Sequence, residues 1–185
     1  AALFGQTCFE AGDIKSTYGT GCFLILNTGN QILRSQNKLL STIGYKIDQE
    51  VVYALEGSIF VAGALIQWLR DKMKFFVSAP ESETLAKTAN GNSEIIIIPS
   101  FTGLGAPFWN PDVKGSIHGI SLDTTQQDII LASLEAIAFQ SKDLVEAIRQ
   151  DGAEINSIKI DGGMANNDFF GQILSDVINV SVQRP

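Results

Sequence analysis

A chain of 185 residues with 45% hydrophobic and 18% charged side chains has the composition of a folded globular domain, with material for one sizeable core or two small ones, which excludes a disordered chain. Its net charge of -7, from 13 basic and 20 acidic residues with no dense Lys/Arg run, argues against a nucleic-acid groove binder. A bound nucleotide would have to be held by backbone amides and helix dipoles. Cys8 and Cys22 are too few for a disulfide framework or a zinc site, and His118 is the single histidine, so no metal cluster is expected. The cysteines read as small buried hydrophobes of a reducing compartment. No apolar run approaches the ~20 residues of a membrane span and no leader pattern opens the chain, which points to the cytoplasm. The chain starts without Met inside a helical pattern (Ala1, Ala2, Leu3, Phe4, Cys8), as a piece of a longer protein would.

After that opening helix, Gly12-Asp13 is a break, and Tyr18 to Leu26 predicts a strand interrupted by Gly19 and Gly21. Asn27-Thr28-Gly29-Asn30 has hairpin-turn chemistry, since Asn and Gly accept positive φ, and a second strand is expected from Gln31 to Arg34. Leu39 to Ile47 and Val51 to Leu55 predict a further pair about Asp48-Gln49-Glu50, with Glu56 following the strand and carrying no chemistry. The first third therefore reads as an antiparallel meander. The period then changes from 2 to 3.6, and Ile59, Ala62, Leu65, Ile66, Leu69 and Met73 share a helical face through Lys74. Gly63 and Gln67 lie one turn apart beside that stripe. They are either a helix-packing glycine with a solvent-facing glutamine, or a flat spot for an adenine ring with an amide beside it.

Ser78 to Asn92 predicts a polar connection with a short helix around Glu83 to Thr88. The four isoleucines of Glu94 to Pro99 predict a strand buried on both faces in a central sheet. Ser100 to Gly115 is a breaker-rich loop whose Phe101, Phe108 and Trp109 call for something to pack on, with Trp109 expected in the core. Ser116 to Leu122 predicts a short strand, in which His118 reads as a structural residue. Thr124 or Thr125 caps the longest helix, to about Arg149, with Ile130, Leu134, Ile137, Ser141, Leu144 and Ile148 as its apolar seam. Asp151-Gly152 ends it.

The chain is organised around the stretch Ile158 to Phe169. Ile158, Lys159 and Ile160 predict a strand that stops at Asp161; Gly162 and Gly163 turn the chain, and a helix from Phe169 to Ile178 begins beyond Asn166 and Asn167, before a last strand from Val180 to Val182. Glycines without a Cβ, next to the unpaired amides of a helix start, suit a phosphate. The bland alternative is an ordinary strand-to-helix turn with an Asn cap. A second glycine stretch beside a strand, Thr17-Tyr18-Gly19-Thr20-Gly21, favours the nucleotide reading. Asp161 is expected to hold the turn, because a carboxylate beside a triphosphate is costly. Antiparallel strands followed by alternating helices and strands are the order of an α/β, ribonuclease-H-like (actin-like ATPase) domain, one candidate among the mixed folds.

Six segments carry a resemblance beyond this pattern: Ala1 to Gln6, Thr17 to Phe23, Tyr53 to Gly57, Ile66 to Asp71, Phe101 to Pro107 and Asp161 to Gly163. In this order and spacing they resemble the C-terminal domain of the FGGY carbohydrate kinases over residues 1–185, incomplete at both ends, and Phe101 to Trp109 is similar to the glycerol-using members rather than the xylulose- or gluconate-using ones. The resemblance implies ATP-dependent phosphorylation of glycerol to glycerol 3-phosphate, with ATP/ADP and Mg2+ as cofactors, in a cleft between two actin-like domains. It implies that Thr20 contacts the nucleotide phosphates, that Gly63 and Gln67 contact the nucleoside end, that Gly163 and Asn167 line the same site, and that Phe23 is the apolar wall beside glycerol. The general base of the family lies just ahead of Ala1, so no catalytic residue and no metal ligand is assigned within the chain. The N-terminal domain of the same protein is an implied partner, as is a second copy, since the family forms dimers or tetramers. Leu122-Asp123 stands where the family often has Arg-Gly. Two other readings are open: a different FGGY sugar kinase, or an actin-like scaffold that uses ATP to change shape and needs no acceptor wall.

Overall fold

Asn27 does not turn the first hairpin. In the computed structural model, which describes residues 2–91 and 94–184, its side chain is fully buried. Its Nδ2 donates to the Cys8 carbonyl at 3.0 Å and its Oδ1 accepts from the Gly29 amide at 2.7 Å. The expected turn chemistry is thus spent on holding the exit of the opening helix α1 (Ala2–Gly5). The hairpin forms instead at Gly19–Gly21, between β1 (Asp13–Tyr18) and β2 (Cys22–Gly29), with Tyr18 opposite Cys22. The expected single strand is therefore two, and residues 31–34 belong to no strand.

The next hairpin is as expected at Asp48-Gln49, between β3 (Leu40–Ile47) and β4 (Glu50–Ile59), with Asp48 at φ +51°. However, β4 runs on through Glu56, which pairs with Ile25 and Leu40, and takes up Ile59, the first residue of the expected helix stripe. Its pairing with β2 continues to Ile59, opposite Cys22, and helix α2 begins only at Gly63, ending at Asp71. The first four strands are antiparallel as expected, but their order is not that of the chain. The six-stranded sheet runs β3-β4-β2-β1-β7-β8, where β7 is Ser157–Asp161 and β8 is Val182–Gln183; β1/β7 and β7/β8 are parallel.

Helix α3 spans Glu81–Ala86. The four isoleucines form only β5 (Ile96–Ile98), paired with β6 (Ser116–His118) in a separate two-stranded sheet. Ile95 and Ile97 are buried while Ile96 is 63% exposed, so this strand covers one face, contrary to the expected central strand. His118 lies at its exposed end, within 2.9 Å of the Ser116 hydroxyl. Trp109 is not a core residue: at 40% exposure it packs edge-on to Phe60 and donates its indole N–H to the Lys38 carbonyl at 2.8 Å. Phe101 leans on Trp68 in the same manner.

Helix α4 (Gln126–Gln150) buries the whole expected seam, from Ile130 to Ile148, against the sheet. Helix α5 (Asp168–Ile178) lies beside it. The register places Ile14, Ser16, Tyr18, Leu24, Ile158 and Ile160 on the helix-covered face of the sheet. Asp161, Thr17, Phe23 and Ser58 form a row across four strands on the opposite face.

Candidate functional site

Three chain turns meet at the end of β1. At its centre is the peptide of Tyr18 and Gly19. Tyr18 is anchored from the helix side, its ring edge-on to Phe170 and its hydroxyl 2.9 Å from Ser141 Oγ, which in turn donates to the Ile137 carbonyl. Complete burial pushes the phenol well above its ordinary pKa, so the hydroxyl stays neutral. Cys22, across the hairpin, is likewise pushed up to about 12 by burial and is a packed thiol, as expected of it.

Glycines let the other two turns approach that peptide. A Cβ on Gly63 would collide with the Gly19 carbonyl oxygen, and one on Gly162 would lie 2.5 Å from the Tyr18 carbonyl oxygen. Gly162 also has φ +90°, the left-handed region that side chains rarely adopt. The hairpin carbonyls cap α2: Gly19 O accepts from the Gly63 amide at 2.9 Å, and Thr20 O accepts from the amides of Ala62 and Ala64 at 2.9 and 3.0 Å. The amides of that helix start are therefore spent on the protein itself. On the other side the expected helix start divides into two. A 3-10 turn, Gly163–Asn166, comes first, closed by Ala165 N–H donating to Gly162 O at 3.1 Å, and α5 follows with Asn167 as its cap. Asn167 Oδ1 accepts from Phe170 N–H at 2.8 Å, which leaves its Nδ2 as the donor for a ligand. The first amides of the 3-10 turn precede its own hydrogen bonds, while the Asn167 cap takes up the Phe170 amide of α5.

Between these turns lies a cavity of about 580 Å³ on the helix side of the strand ends, within the size range of small-molecule sites. Thr20, Gly63, Gln67, Gly163 and Asn167 all line it. Phe23 does not: it stands 52% exposed on the opposite face of the sheet, around the strand end from the cavity. Residues that the sequence reading passed over complete the wall: Ile66, Arg70, Met164 and Leu134, with Ala79, Pro80, Ser82 and Glu83 from α3 and its approach. Arg70 was legible, since 63, 67 and 70 follow one helix face. The α3 residues carried no signal in a polar connection. Of the two charged groups, Arg70 pairs with Asp71 at 2.6 Å and Glu83 with Lys87 at 2.6 Å, so both are already partnered.

Asp161 does not hold the glycine turn. Its Oδ2 accepts from Gln6 Nε2 at 2.6 Å, a link to the end of α1. Among the described residues no group of three His, Cys, Asp or Glu side chains is placed to hold a metal ion.

Antiparallel strands continued by parallel β7 and β8, the long helices α4 and α5 on one face, and a cavity between glycine turns at the strand ends define a ribonuclease-H-like domain of the actin-like ATPase type. Residues 14–185 match the model of the FGGY family of carbohydrate kinases, C-terminal domain, and the chain belongs to that family. It is similar to the glycerol kinase of Marinomonas sp. (strain MWYL1), 54% identical over the whole chain, and to glycerol kinase 1 of Pseudomonas aeruginosa, 51% identical. The crystal structure of Plasmodium falciparum glycerol kinase with ADP superposes with a TM-score of 0.93 at 38% identity, over 99% of this chain. In each case the chain spans 37% of the relative's length.

Proposed function

We propose that this chain is the nucleotide-binding part of an enzyme that transfers the terminal phosphoryl group of ATP to glycerol, giving glycerol 3-phosphate and ADP. The observation that carries this reading is the convergence of Thr20, Gly63, Gln67, Gly163 and Asn167 on one cavity, in a chain about half identical to glycerol kinases. The phosphates lie at the Thr20 and Gly163 turns, where Cβ-free backbone and the amides at the head of the 3-10 turn can approach them. The nucleoside end lies against Gly63 and Gln67, with the Asn167 amide beside it. Phosphoryl transfer asks a protein mainly for positioning and for stabilisation of charge on the transferring group, and fixed backbone donors provide both.

Mg2+ fits as a companion of the nucleotide. The one carboxylate among the described lining residues, Glu83, is engaged by Lys87, so the ion would be held by phosphate oxygens and water and would neutralise their charge. Phe23 offers the apolar wall for the acceptor on the far side of the strand end. The acceptor hydroxyl bonds to the terminal phosphorus as its bond to ADP breaks, and the hydroxyl proton leaves to a base supplied from outside these residues. A preceding domain of the same protein closes the cleft in this reading, and the use of ATP is the ground for a cytoplasmic location. Neither dimer nor tetramer follows from the described surface.

The test is ADP formation by the full-length protein with ATP, Mg2+ and a panel of acceptors, with the product identified by phosphorus NMR. Turnover on glycerol, giving glycerol 3-phosphate, is expected. Preference for xylulose or gluconate would reassign the substrate within the family. ATP hydrolysis indifferent to every acceptor would sink the kinase reading in favour of a nucleotide-driven scaffold.

A further inference from the structure

The corner that follows α1 is fastened to the sheet by two side chains of β7, two residues apart. Asp161 Oδ2 accepts from Gln6 Nε2 at 2.6 Å, and Lys159 Nζ donates to the carbonyl and hydroxyl oxygens of Thr7, both at 2.9 Å. Thr7 has φ +54°, uncommon for a β-branched residue, so the corner is held in a shape it would not keep alone. Leu3, with 1% exposure, anchors its other end in a small cluster with Cys8 and Ala54.

The position of Asp161 gives this fastening a consequence. It is the last residue of β7, directly before the glycine turn that lines the cavity, and it belongs to the open-face row Asp161, Thr17, Phe23, Ser58. The cavity lies on one side of the strand ends and Phe23 on the other, about two strand spacings or roughly 10 Å from Asp161. A phosphate chain held at Gly163 reaches an acceptor at Phe23 across the strand ends, one of which Asp161 forms. Gln6 is bonded to that strand end. The hydrogen bond from Gln6 takes up one lone pair of Asp161 Oδ2, and it joins a corner on the acceptor side to the turn on the phosphate side.

We infer that Gln6 and Asp161 are positioning residues of the phosphoryl transfer, their hydrogen bond keeping the α1 corner in register with the phosphate turn. The inference rests on the kinase reading. Misplacement of reacting groups by about 1 Å costs on the order of a hundredfold in rate, and a link that touches neither substrate acts on the rate rather than on binding. A carboxamide at position 161 still offers an oxygen to Gln6 while removing the charge, which separates the hydrogen bond from the charge as the active feature.

The experiment uses the full-length protein with Asp161→Ala, Asp161→Asn, Gln6→Ala and the double alanine variant, comparing kcat and KM for ATP and glycerol with thermal unfolding of each. Asp161→Ala and Gln6→Ala are expected to lose about a hundredfold in kcat, with KM for ATP within about twofold of wild type. Asp161→Asn should recover most of the rate, and the double variant should be no worse than either single, as for two ends of one link. The inference is overturned if Asp161→Asn is as slow as Asp161→Ala, if KM for ATP rises while kcat holds, or if both alanine variants keep their rate. Loss of kcat in proportion to unfolded protein overturns it as well; Gln6, half-buried on the corner, supplies the variant least exposed to that outcome. A wild-type enzyme with no acceptor-dependent turnover sinks the kinase reading and this link with it. A turning-over wild type with unimpaired variants sinks the link alone.

Discussion

Gly162 and Gly163 are neighbours of one residue type with opposite requirements. Gly162 is fixed by its φ of +90° and by the Tyr18 backbone that any Cβ would strike, whereas a Cβ on Gly163 meets nothing within 4 Å beside the cavity it lines. Gly162→Ala should therefore destabilise the fold by about 2 kcal/mol or more. Gly163→Val should leave the melting temperature close to wild type and abolish ADP binding in a calorimetric titration. Retained binding by folded Gly163→Val would remove the phosphates from this turn. Asn167 makes a second separation, because its oxygen caps α5 and only its nitrogen is left for a ligand. Asn167→Asp keeps the capping oxygen and replaces the donor with a negative charge, so ADP affinity should fall while stability holds; Asn167→Ala should lower both. Residue types marked these positions in the sequence, since glycines and amides at a strand end suit a phosphate. Which glycine faces the backbone and which faces open space depends on Tyr18, over 140 positions away in the chain, and so was hidden.

Elements were legible where local chemistry and burial agree. The start of α4 is the clearest case: Thr125 Oγ1 accepts from the Asp128 amide at 3.3 Å while Asp128 Oδ2 accepts from the Thr125 amide at 2.9 Å and from its hydroxyl at 2.7 Å. The hydroxyl above all, then the Thr125 amide, hold the Asp128 carboxyl below its usual range against the opposing effect of burial, with help from the Asn90 amide at 2.8 Å. A carboxyl lowered by folding binds its proton less readily in the native state. Its stabilisation is complete above the unfolded pKa of about 4 and is lost as the pH falls through the lower native value. Thr125→Ala should cost about 1 kcal/mol at neutral pH, or about 2–4 °C in melting temperature. The deficit of Asp128→Asn, measured by denaturant unfolding, should narrow as the pH falls from about 5 towards 3; a deficit independent of pH would remove the charge from the account. Elements were misread where the same residue types serve another partner. Asn27-Thr28-Gly29-Asn30 has the composition of a turn, but Asn27 is turned inward to Cys8. The isoleucines of β5 have the composition of a central strand, but among the described residues they pair with β6 alone.

At the scale of the molecule, the class of fold was legible in the order of its elements, while the strand order was not, because β2 pairs with β4 across the intervening β3 and only tertiary contact reveals that. The architecture also divides the labour of the proposed reaction. One face of the sheet carries the core, with α4 and α5 over Ile14, Tyr18, Leu24 and Ile160. The cavity at the strand ends is lined by Thr20, Gly63, Gln67, Gly163 and Asn167 together. The acceptor side is different, for on the open face Phe23 stands 52% exposed, with Leu40 and Phe4 exposed as well. The proposed placing of the nucleotide in the cavity and of the acceptor on the open face predicts separable behaviour for the chain expressed alone. It should unfold cooperatively, and Mg-ADP at a hundred times its dissociation constant should stabilise it by about 2.7 kcal/mol, which is on the order of 5–11 °C in melting temperature. It should form no ADP in response to glycerol. A folded chain whose melting temperature ignores ADP would mean that the cavity binds only when further protein closes over it. Glycerol-dependent ADP formation by these residues alone would place the missing wall and the proton acceptor within the chain, where Asp161, in the row with Phe23, would be the first group to replace.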